Sequence, residues 1–233
     1  MANAQTPILE VHNIVKRFPG VVALNDVSVK FYPGEVHAIV GENGAGKSTL
    51  MKILAGAYIA DEGEILFQEQ PMSYSHPREA QEAGISIIYQ EFNLLPERTI
   101  AQNIFLGREP SRYGLIDQRQ MRQQTIEVLQ QVGAEDMFSP DAEVKTLSIA
   151  EQQLVEIAKA LSYDSKVLIM DEPTAALATH EVDILIKLIH KLKAEGIAII
   201  FISHRFTEVF DIAKTITVLK DGELVATVPA AHT

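Results

Sequence analysis

One glycine-rich segment constrains the fold of this chain more than any other feature. It comprises Gly41, Glu42, Asn43, Gly44, Ala45, Gly46, Lys47, Ser48 and Thr49. Hydropathy predicts a buried strand over residues 35–40 before it and a helix over residues 49–55 after it. Glycines let a backbone wrap closely around an anion, and the positive end of the following helix faces the same point. The segment therefore predicts a phosphate-binding loop, with Lys47 on the phosphates and Ser48 on a metal ion.

Two adjacent carboxylates end a second apolar strand. Residues 167–170 are apolar and lead directly into Asp171 and Glu172. The carboxyl ends of parallel strands are where such sheets bind ligands. Successive strand residues point to opposite sides, so the two carboxylates need not share one task. We expect Asp171 to coordinate Mg²⁺, through water, and Glu172 to polarise an attacking water molecule.

Two further polar residues each follow a predicted strand. Gln90 comes after residues 85–88, and His204 comes after residues 197–202. Alone, either residue is typical of an ordinary loop. Downstream of a phosphate-binding loop, they are predicted to reach the same sheet edge. We expect Gln90 to sense the metal and the water, and His204 to contact a γ-phosphate.

A helix with a strong start signal lies between these strands. Ser148 and Glu151 have the spacing of a capping box, and residues 154, 157, 158 and 161 form an apolar stripe behind them. Helices are also predicted over residues 121–132 and 181–194. Apolar strands that alternate with helices predict an α/β class with a parallel sheet covered on both faces.

Composition excludes several classes of protein. The chain has 233 residues, 47% of them hydrophobic, and a formal net charge of −11. That charge argues against wholesale binding to nucleic acid or anionic lipid. With zero cysteines there are no disulfides or thiolate metal sites. No apolar run reaches the roughly 18 residues that cross a bilayer, and residues 1–7 do not resemble a secretory signal.

Taken in order, these segments resemble the nucleotide-binding cassette of ABC transporters, from Leu9 to Val225. The resemblance implies a P-loop NTPase (RecA-like) parallel-sheet core with an N-terminal antiparallel β subdomain and an inserted α-helical subdomain. It implies a single ABC ATPase domain over residues 1–233, with core and β subdomain at about 1–95 and 163–233 and the insertion at about 96–162.

The resemblance also implies ligands and contacts that spacing alone does not give. ATP and Mg²⁺ are the expected cofactors, with Phe18 stacked on adenine and Gln90 among the metal ligands. The segment Ser148, Ile149, Ala150 and Glu151 is expected to meet the γ-phosphate held by a second cassette. It departs from the family's usual Leu-Ser-Gly-Gly-Gln, and Ala178 stands where the family commonly has Asp. Ala150 and Ala178 therefore put full activity at one site in doubt.

Three stretches look narrower than the general family. Residues 89–96, 151–161 and 202–210 are similar to bacterial ATPases that drive uptake of ribose, xylose, galactose and related compounds. In those proteins two cassettes are usually fused, so the chain resembles the N-terminal half of a longer protein. The resemblance implies a peripheral position on the cytoplasmic face of the cell membrane. The expected partners are permease subunits docked near residues 90–114, a second cassette and, indirectly, a periplasmic or extracellular solute-binding protein.

Two alternatives stay open at this point. A non-transport ABC ATPase acting on ribosomes or nucleic acid would typically carry basic surfaces or long inserted arms, and this acidic chain has neither. A P-loop kinase or GTPase would leave the segment 147–151 and His204 without a purpose. No nucleic-acid partner is expected, and the transported solute is not fixed by these residues.

Overall fold

The computed structural model describes residues 5–230, which form two larger sheets and a small hairpin. The antiparallel sheet contains β1 (Leu9–Phe18), β2 (Val21–Phe31), β4 (Glu62–Phe67) and β5 (Gln70–Pro71). The six-stranded sheet contains β3 (Val36–Val40), β6 (Ile85–Ile88), β9 (Val167–Asp171), β10 (Ala198–Ile202), β11 (Thr215–Lys220) and β12 (Glu223–Pro229). The hairpin contains β7 (Ser111–Arg112) and β8 (Leu115–Ile116).

The helices connect and cover these strands. They are α1 (Lys47–Leu54), α2 (Pro77–Ala83), α3 (Ile100–Ile104), α4 (Gln118–Val132), α5 (Ile149–Leu161), α6 (Thr179–Ala194) and α7 (Phe206–Ile212), with a 3-10 turn at Val144–Thr146. Within residues 5–230, none is both long enough and apolar enough to cross a bilayer.

The six-stranded sheet has the strand order β12-β11-β3-β10-β9-β6, and only β12 runs antiparallel to its neighbour. Its central strands are apolar throughout because both of their faces are covered. In β9, Leu168 and Met170 pack with the helices α3 to α5, while Val167 and Ile169 pack towards α1 and the antiparallel sheet. The carboxyl ends of β3, β6, β9 and β10 consequently share one edge.

This architecture confirms the predicted fold class. A parallel core carries an antiparallel sheet near the N-terminus, and α3, α4 and α5 lie between β6 and β9. The proposed subdomain boundaries at 96 and 162 stay a prediction. Residues 1–4 and 231–233 lie outside the described residues. They belong to the predicted domain of 1–233, and residues 1–4 also belong to the segment 1–7 that was predicted not to be a secretory signal.

Local boundaries differ from the predicted ones where a cap or a bulge decides them. The helix predicted from residue 121 begins at Gln118, because the Asp117 side chain accepts a hydrogen bond from the backbone of Gln120. β2 begins at Val21, and register shifts in its pairing with β1 break the alternation of its apolar and polar residues. The segment 90–114, predicted to lie near the permease, extends into the β7–β8 hairpin.

One buried histidine gives the fold a pH dependence. His37 of β3 is 2% exposed, and its Nε2 lies 2.7 Å from the Thr217 hydroxyl. Burial lowers the pKa of His37 from 6.5 to about 4, although Glu35 acts in the opposite direction. His37 of the folded protein therefore binds a proton less readily than His37 of the unfolded chain, which becomes protonated as pH falls below 6.5.

We predict that His37 costs stability as pH falls from 6.5 towards 4, by about 3 kcal/mol in total. Above pH 6.5 both states are neutral at this residue, so the cost is absent. In His37→Gln, the difference in unfolding free energy from wild type should shrink as pH falls over that range. Urea denaturation at several pH values measures it, with exposed His190→Gln as control. A constant difference for His37→Gln would contradict the prediction.

Candidate functional site

The predicted phosphate-binding loop joins β3 to α1, as its sequence context requires. Gly46, the residue before α1, has a left-handed backbone (φ 100°) and offers no side chain to cap the helix. The first turn of α1 also contains no acidic residue. The positive end of this helix is thus open to an anionic ligand.

The loop approaches neighbouring backbone too closely for side chains at two glycines. A Cβ at Gly41 would lie 2.3 Å from the carbonyl oxygen of Leu219, and one at Gly46 would lie 2.7 Å from that of Ala23. At Gly44, by contrast, an added Cβ would meet no atom within 4 Å. The loop is therefore packed tightly on its protein side and open at Gly44, as a phosphate cradle must be.

The lysine of the loop is folded back over it. Lys47 is 9% exposed, and its Nζ donates hydrogen bonds to the carbonyl oxygens of Gly41 (2.7 Å) and Glu42 (3.0 Å). These contacts satisfy the ammonium while holding it at the mouth of the loop. An arriving phosphate can replace carbonyl oxygens as its acceptor.

A cleft of about 560 Å³ lies beside the loop, and most of the predicted site residues line it. Its lining comprises Phe18, Val21, Val22, Ala23, Asn43, Gly44, Ala45, Gly46, Lys47, Ser48, Thr49, Gln90, Asp171 and Glu172. The structure thus brings together segments from β1, β2, β3, β6 and β9. Gly41, Glu42 and His204 adjoin this cleft without lining it, through the contacts of Lys47 and Glu172.

Both strand-end carboxylates line the cleft, which strand alternation alone would not allow. Asp171 is the last residue of β9, and Glu172 leaves the strand with a left-handed φ of 48°. The backbone N–H of Glu172 donates to the carbonyl oxygen of Ile202 (3.0 Å). This turn places the second carboxylate beside the first, so the expectation of opposite sides does not hold at this step.

The environment of Asp171 perturbs its protonation. Burial, and then the neighbouring Glu172 carboxylate, raise the pKa of Asp171. The ammonium groups of Lys47 and Lys52 act in the opposite direction. A cation bound between these groups would remove the electrostatic cost of the carboxylate pair.

Glu172 and His204 form a direct pair across two loops. His204 Nδ1 lies 3.0 Å from Glu172 Oε1, and the side chains are 64% and 20% exposed respectively. A carboxylate in this position orients the imidazole ring and fixes which nitrogen faces outward. The prediction that His204 reaches the edge bearing Glu172 is confirmed by this contact.

Gln90 lies on a segment anchored to the helix α5. Three residues further on, the backbone N–H of Asn93 donates to Glu156 Oε1 (2.6 Å), and Lys159 Nζ donates to the Asn93 carbonyl oxygen (3.0 Å). Glu156 is 8% exposed, and burial raises its pKa. Sequence reasoning missed both side chains, although an acid beside the apolar stripe of α5 was a usable signal.

Phe18 is half-buried at the end of β1, rather than part of the core. Its ring meets that of Tyr58 edge-on at 5.5 Å between centroids, and Lys16 Nζ lies 5.5 Å from its centroid. One aromatic surface at the rim of the cleft suits a planar ligand group.

The predicted capping box at the start of α5 is confirmed. The backbone N–H of Ser148 donates to Glu151 Oε2 (2.7 Å), and the Ser148 hydroxyl accepts from the backbone N–H of Glu151 (3.3 Å). Ile149 is 45% exposed. Ser148, Ala150 and Glu151 line a separate pocket against α6, so the structure does not bring this segment into the cleft.

The oxygen atoms around the cleft fit magnesium in a particular way. Within residues 5–230 there is no cluster of three or more His, Cys, Asp or Glu side chains able to hold a metal ion. The cleft offers instead the Asp171 carboxylate, the Ser48 hydroxyl and the Gln90 amide. Mg²⁺ commonly uses one or two protein oxygens and takes its other ligands from phosphates and water, so this donor set fits it.

A glycine-rich loop joins the parallel strand β3 to α1, and a carboxylate at the end of β9, two strands away in the sheet, lines the same cleft. This arrangement defines a P-loop nucleotide-binding protein. A sequence model described as "ABC transporter" matches residues 24–175, which is more than half of the chain. The chain belongs to the ABC transporter family, as its motifs predicted.

Curated relatives and a solved structure support this assignment. The chain is 52% identical over 224 residues to the "Ribose import ATP-binding protein RbsA 1" of Rubrobacter xylanophilus, covering 96% of this chain and 44% of that protein. It is 51% identical over 220 residues to the "Ribose import ATP-binding protein RbsA 2" of Escherichia coli O157:H7, covering 94% and 43%. The chain thus spans less than half the length of these relatives. A nucleotide-free ATP-binding cassette from an ABC transporter superposes with a TM-score of 0.85 at 28% identity, covering 96% of this chain and 92% of that one.

We predict that the tight packing of the loop makes Gly46→Ala much more destabilising than Gly44→Ala. Both positions have a positive φ, which costs an L-residue about 1–2 kcal/mol. Only at Gly46 does the new methyl group also collide with Ala23 and Leu24, at 2.7 Å each, which adds about 1–3 kcal/mol. Urea denaturation of the two variants measures the difference. Equal losses of stability would show that the loop yields at Gly46 and is not packed as described.

Proposed function

We propose that this chain is the ATP-binding and hydrolysing cassette of an importer for a sugar or sugar-like solute. The single observation that carries the proposal is the convergence of the phosphate-binding loop, Gln90, Asp171 and Glu172 on one cleft. The printed names of the relatives, ribose import ATP-binding proteins, support the transport role. The alternative of a non-transport ATPase on ribosomes or nucleic acid is not favoured, since a net charge of −11 opposes it.

In this proposal each side of the cleft binds one part of Mg-ATP. Phe18 stacks on adenine, while Lys47 and the N–H groups of the loop bind the phosphates. Ser48, Asp171 and Gln90 hold Mg²⁺, which when bound neutralises charge on the phosphate oxygens. The open N-terminus of α1 adds a fixed positive potential at the same point.

Glu172 and His204 then act on the attacking water and the terminal phosphate. Glu172 orients the water and accepts its proton, because its carboxylate lines the cleft and faces no lysine or arginine partner within salt-bridge distance among the described residues. His204, oriented through Nδ1 by Glu172, presents Nε2 towards the γ-phosphate. Both groups are held before the nucleotide arrives, which limits reorganisation during the reaction.

We further propose that the segment 148–151 serves the nucleotide of a second cassette, fused or separate. Its exclusion from this chain's cleft and its position at a helix N-terminus support that role. Permease subunits dock near residues 90–114, at the cytoplasmic face of the cell membrane, and a solute-binding protein delivers the solute from outside. Subdomain boundaries near residues 96 and 162 would let the helical insertion move with the permease.

We predict that Glu172→Gln lowers ATP turnover by at least about 100-fold, because the amide cannot accept the proton of the water. Mg-ATP affinity should change little, since the loop supplies most of the phosphate contacts. Phosphate release and equilibrium binding of Mg-ATP measure the two quantities. Exposed Glu135→Gln is the control for loss of one charge. Normal turnover in Glu172→Gln would remove this residue as the base.

We predict that Glu151→Gln strengthens ATP-dependent association of two cassettes several-fold. The change retains an acceptor for the Ser148 N–H and removes a negative charge from the point where another chain's phosphate would approach. Sedimentation of the Glu172→Gln background with Mg-ATP, with and without the second change, measures the association. Glu127→Gln on α4 removes a comparable exposed charge elsewhere. Weaker association would place the segment 148–151 away from the partner nucleotide.

A further inference from the structure

The helix α7 contains a buried carboxylate that the proposed reaction does not use. Glu208 is 8% exposed and does not line the cleft. It is the third residue of α7, where a negative charge interacts favourably with the helix dipole. Any further role of Glu208 therefore depends on what its oxygens contact.

The two oxygens of Glu208 accept hydrogen bonds from three side chains. Oε2 accepts from the hydroxyls of Thr174 (2.6 Å) and Ser203 (3.4 Å), and Oε1 accepts from Arg205 Nη1 (3.1 Å). Thr174 and Ser203 are each 2% exposed. Buried hydrogen bonds to a carboxylate are stronger than neutral ones and costly to break.

These partners lie on both sides of the Glu172–His204 pair. Thr174 comes two residues after Glu172, while Ser203 and Arg205 flank His204. The Ser203 hydroxyl also accepts from the backbone N–H of Arg205 (3.0 Å), which closes the chain around His204. Glu208 thus ties together two loops whose tips hold the paired side chains.

The side chains of the pair have few other restraints, although the backbone N–H of Glu172 also donates to the carbonyl oxygen of Ile202 (3.0 Å). The His204 side chain is 64% exposed, so packing restrains it weakly. Glu172 adopts a left-handed backbone that is unfavourable for a residue with a side chain. The surrounding structure must hold such a conformation in place.

We propose that Glu208 is a positioning residue, which holds the loops of Glu172 and His204 at the separation that their contact requires. The proposal rests on the functions proposed above for Glu172 and His204. Glu208 touches neither the nucleotide nor the water in this scheme. Its effect passes through Thr174 on one side and through Ser203 and Arg205 on the other.

The test is Glu208→Gln, which keeps the size of the side chain but replaces one accepting oxygen with a donor. Either Arg205 alone, or Thr174 and Ser203 together, then face an amide NH₂ group in place of an acceptor. We expect ATP turnover to fall about 10- to 100-fold, as expected for a misplaced catalytic group, while Mg-ATP affinity stays within about twofold of wild type. Asp211→Asn, an exposed acid on the same helix, is the matched control and should leave both quantities unchanged.

A second readout separates positioning from simple stabilisation of α7. Hydrogen exchange should rise in residues 172–177 and 202–206 of Glu208→Gln, and stay unchanged in the phosphate-binding loop. If Glu208→Gln does not fold, Thr174→Val decides the question, since it removes only the donor on the Glu172 side. It should lower turnover without weakening Mg-ATP binding.

Several results would overturn the inference. Normal turnover in folded Glu208→Gln would do so, as would a parallel loss of turnover, affinity and protection throughout the chain. If Glu208→Gln does not fold, normal turnover in Thr174→Val would do so. Glu172→Gln, measured beside these variants, distinguishes failure of the positioning role of Glu208 from failure of the proposed base. If it is inactive while Glu208→Gln is normal, only the positioning role fails; if it is active, the proposed base is wrong.

Discussion

The parallel register of the central sheet is the constraint on which the site depends. Ile202 of β10 pairs with Ile39 of β3 on one side and with Asp171 of β9 on the other. Ile88 of β6 pairs with Met170, one residue before Asp171. Four segments distant in sequence therefore end at one edge, and each delivers its polar residue within reach of the others. A slip of one residue in any pairing would turn those side chains to the opposite face.

Sequence predicted the parts of this structure that are encoded locally. Continuous apolar runs gave β6 and β10 almost to the residue, and the Ser148–Glu151 spacing gave the start of α5. The glycine spacing predicted the loop, because a close backbone approach has few other sequence solutions. Family resemblance then predicted which loops meet, and the cleft contains most of them.

The rest depends on contacts between distant residues, which no local pattern encodes. The Glu208–Thr174 hydrogen bond joins positions 34 apart, and the Glu156–Asn93 hydrogen bond joins positions 63 apart. The shared side of Asp171 and Glu172 also escaped prediction, since it depends on one left-handed residue. Short helices such as α3 and α7 have too few turns to show an apolar period.

The double attachment of Asn93 has a mechanical consequence. Both polar groups of its backbone are bound by side chains of one rigid rod, α5, whose first residue follows Ser148. If α5 slides or tilts, the segment that bears Gln90 must move with it, or two charge-assisted hydrogen bonds must break. The distance from Ile149 at the start of α5 to Glu156 is about 10 Å along the helix axis, at 1.5 Å per residue. α5 therefore links the helix start after Ser148 to the segment that bears Gln90.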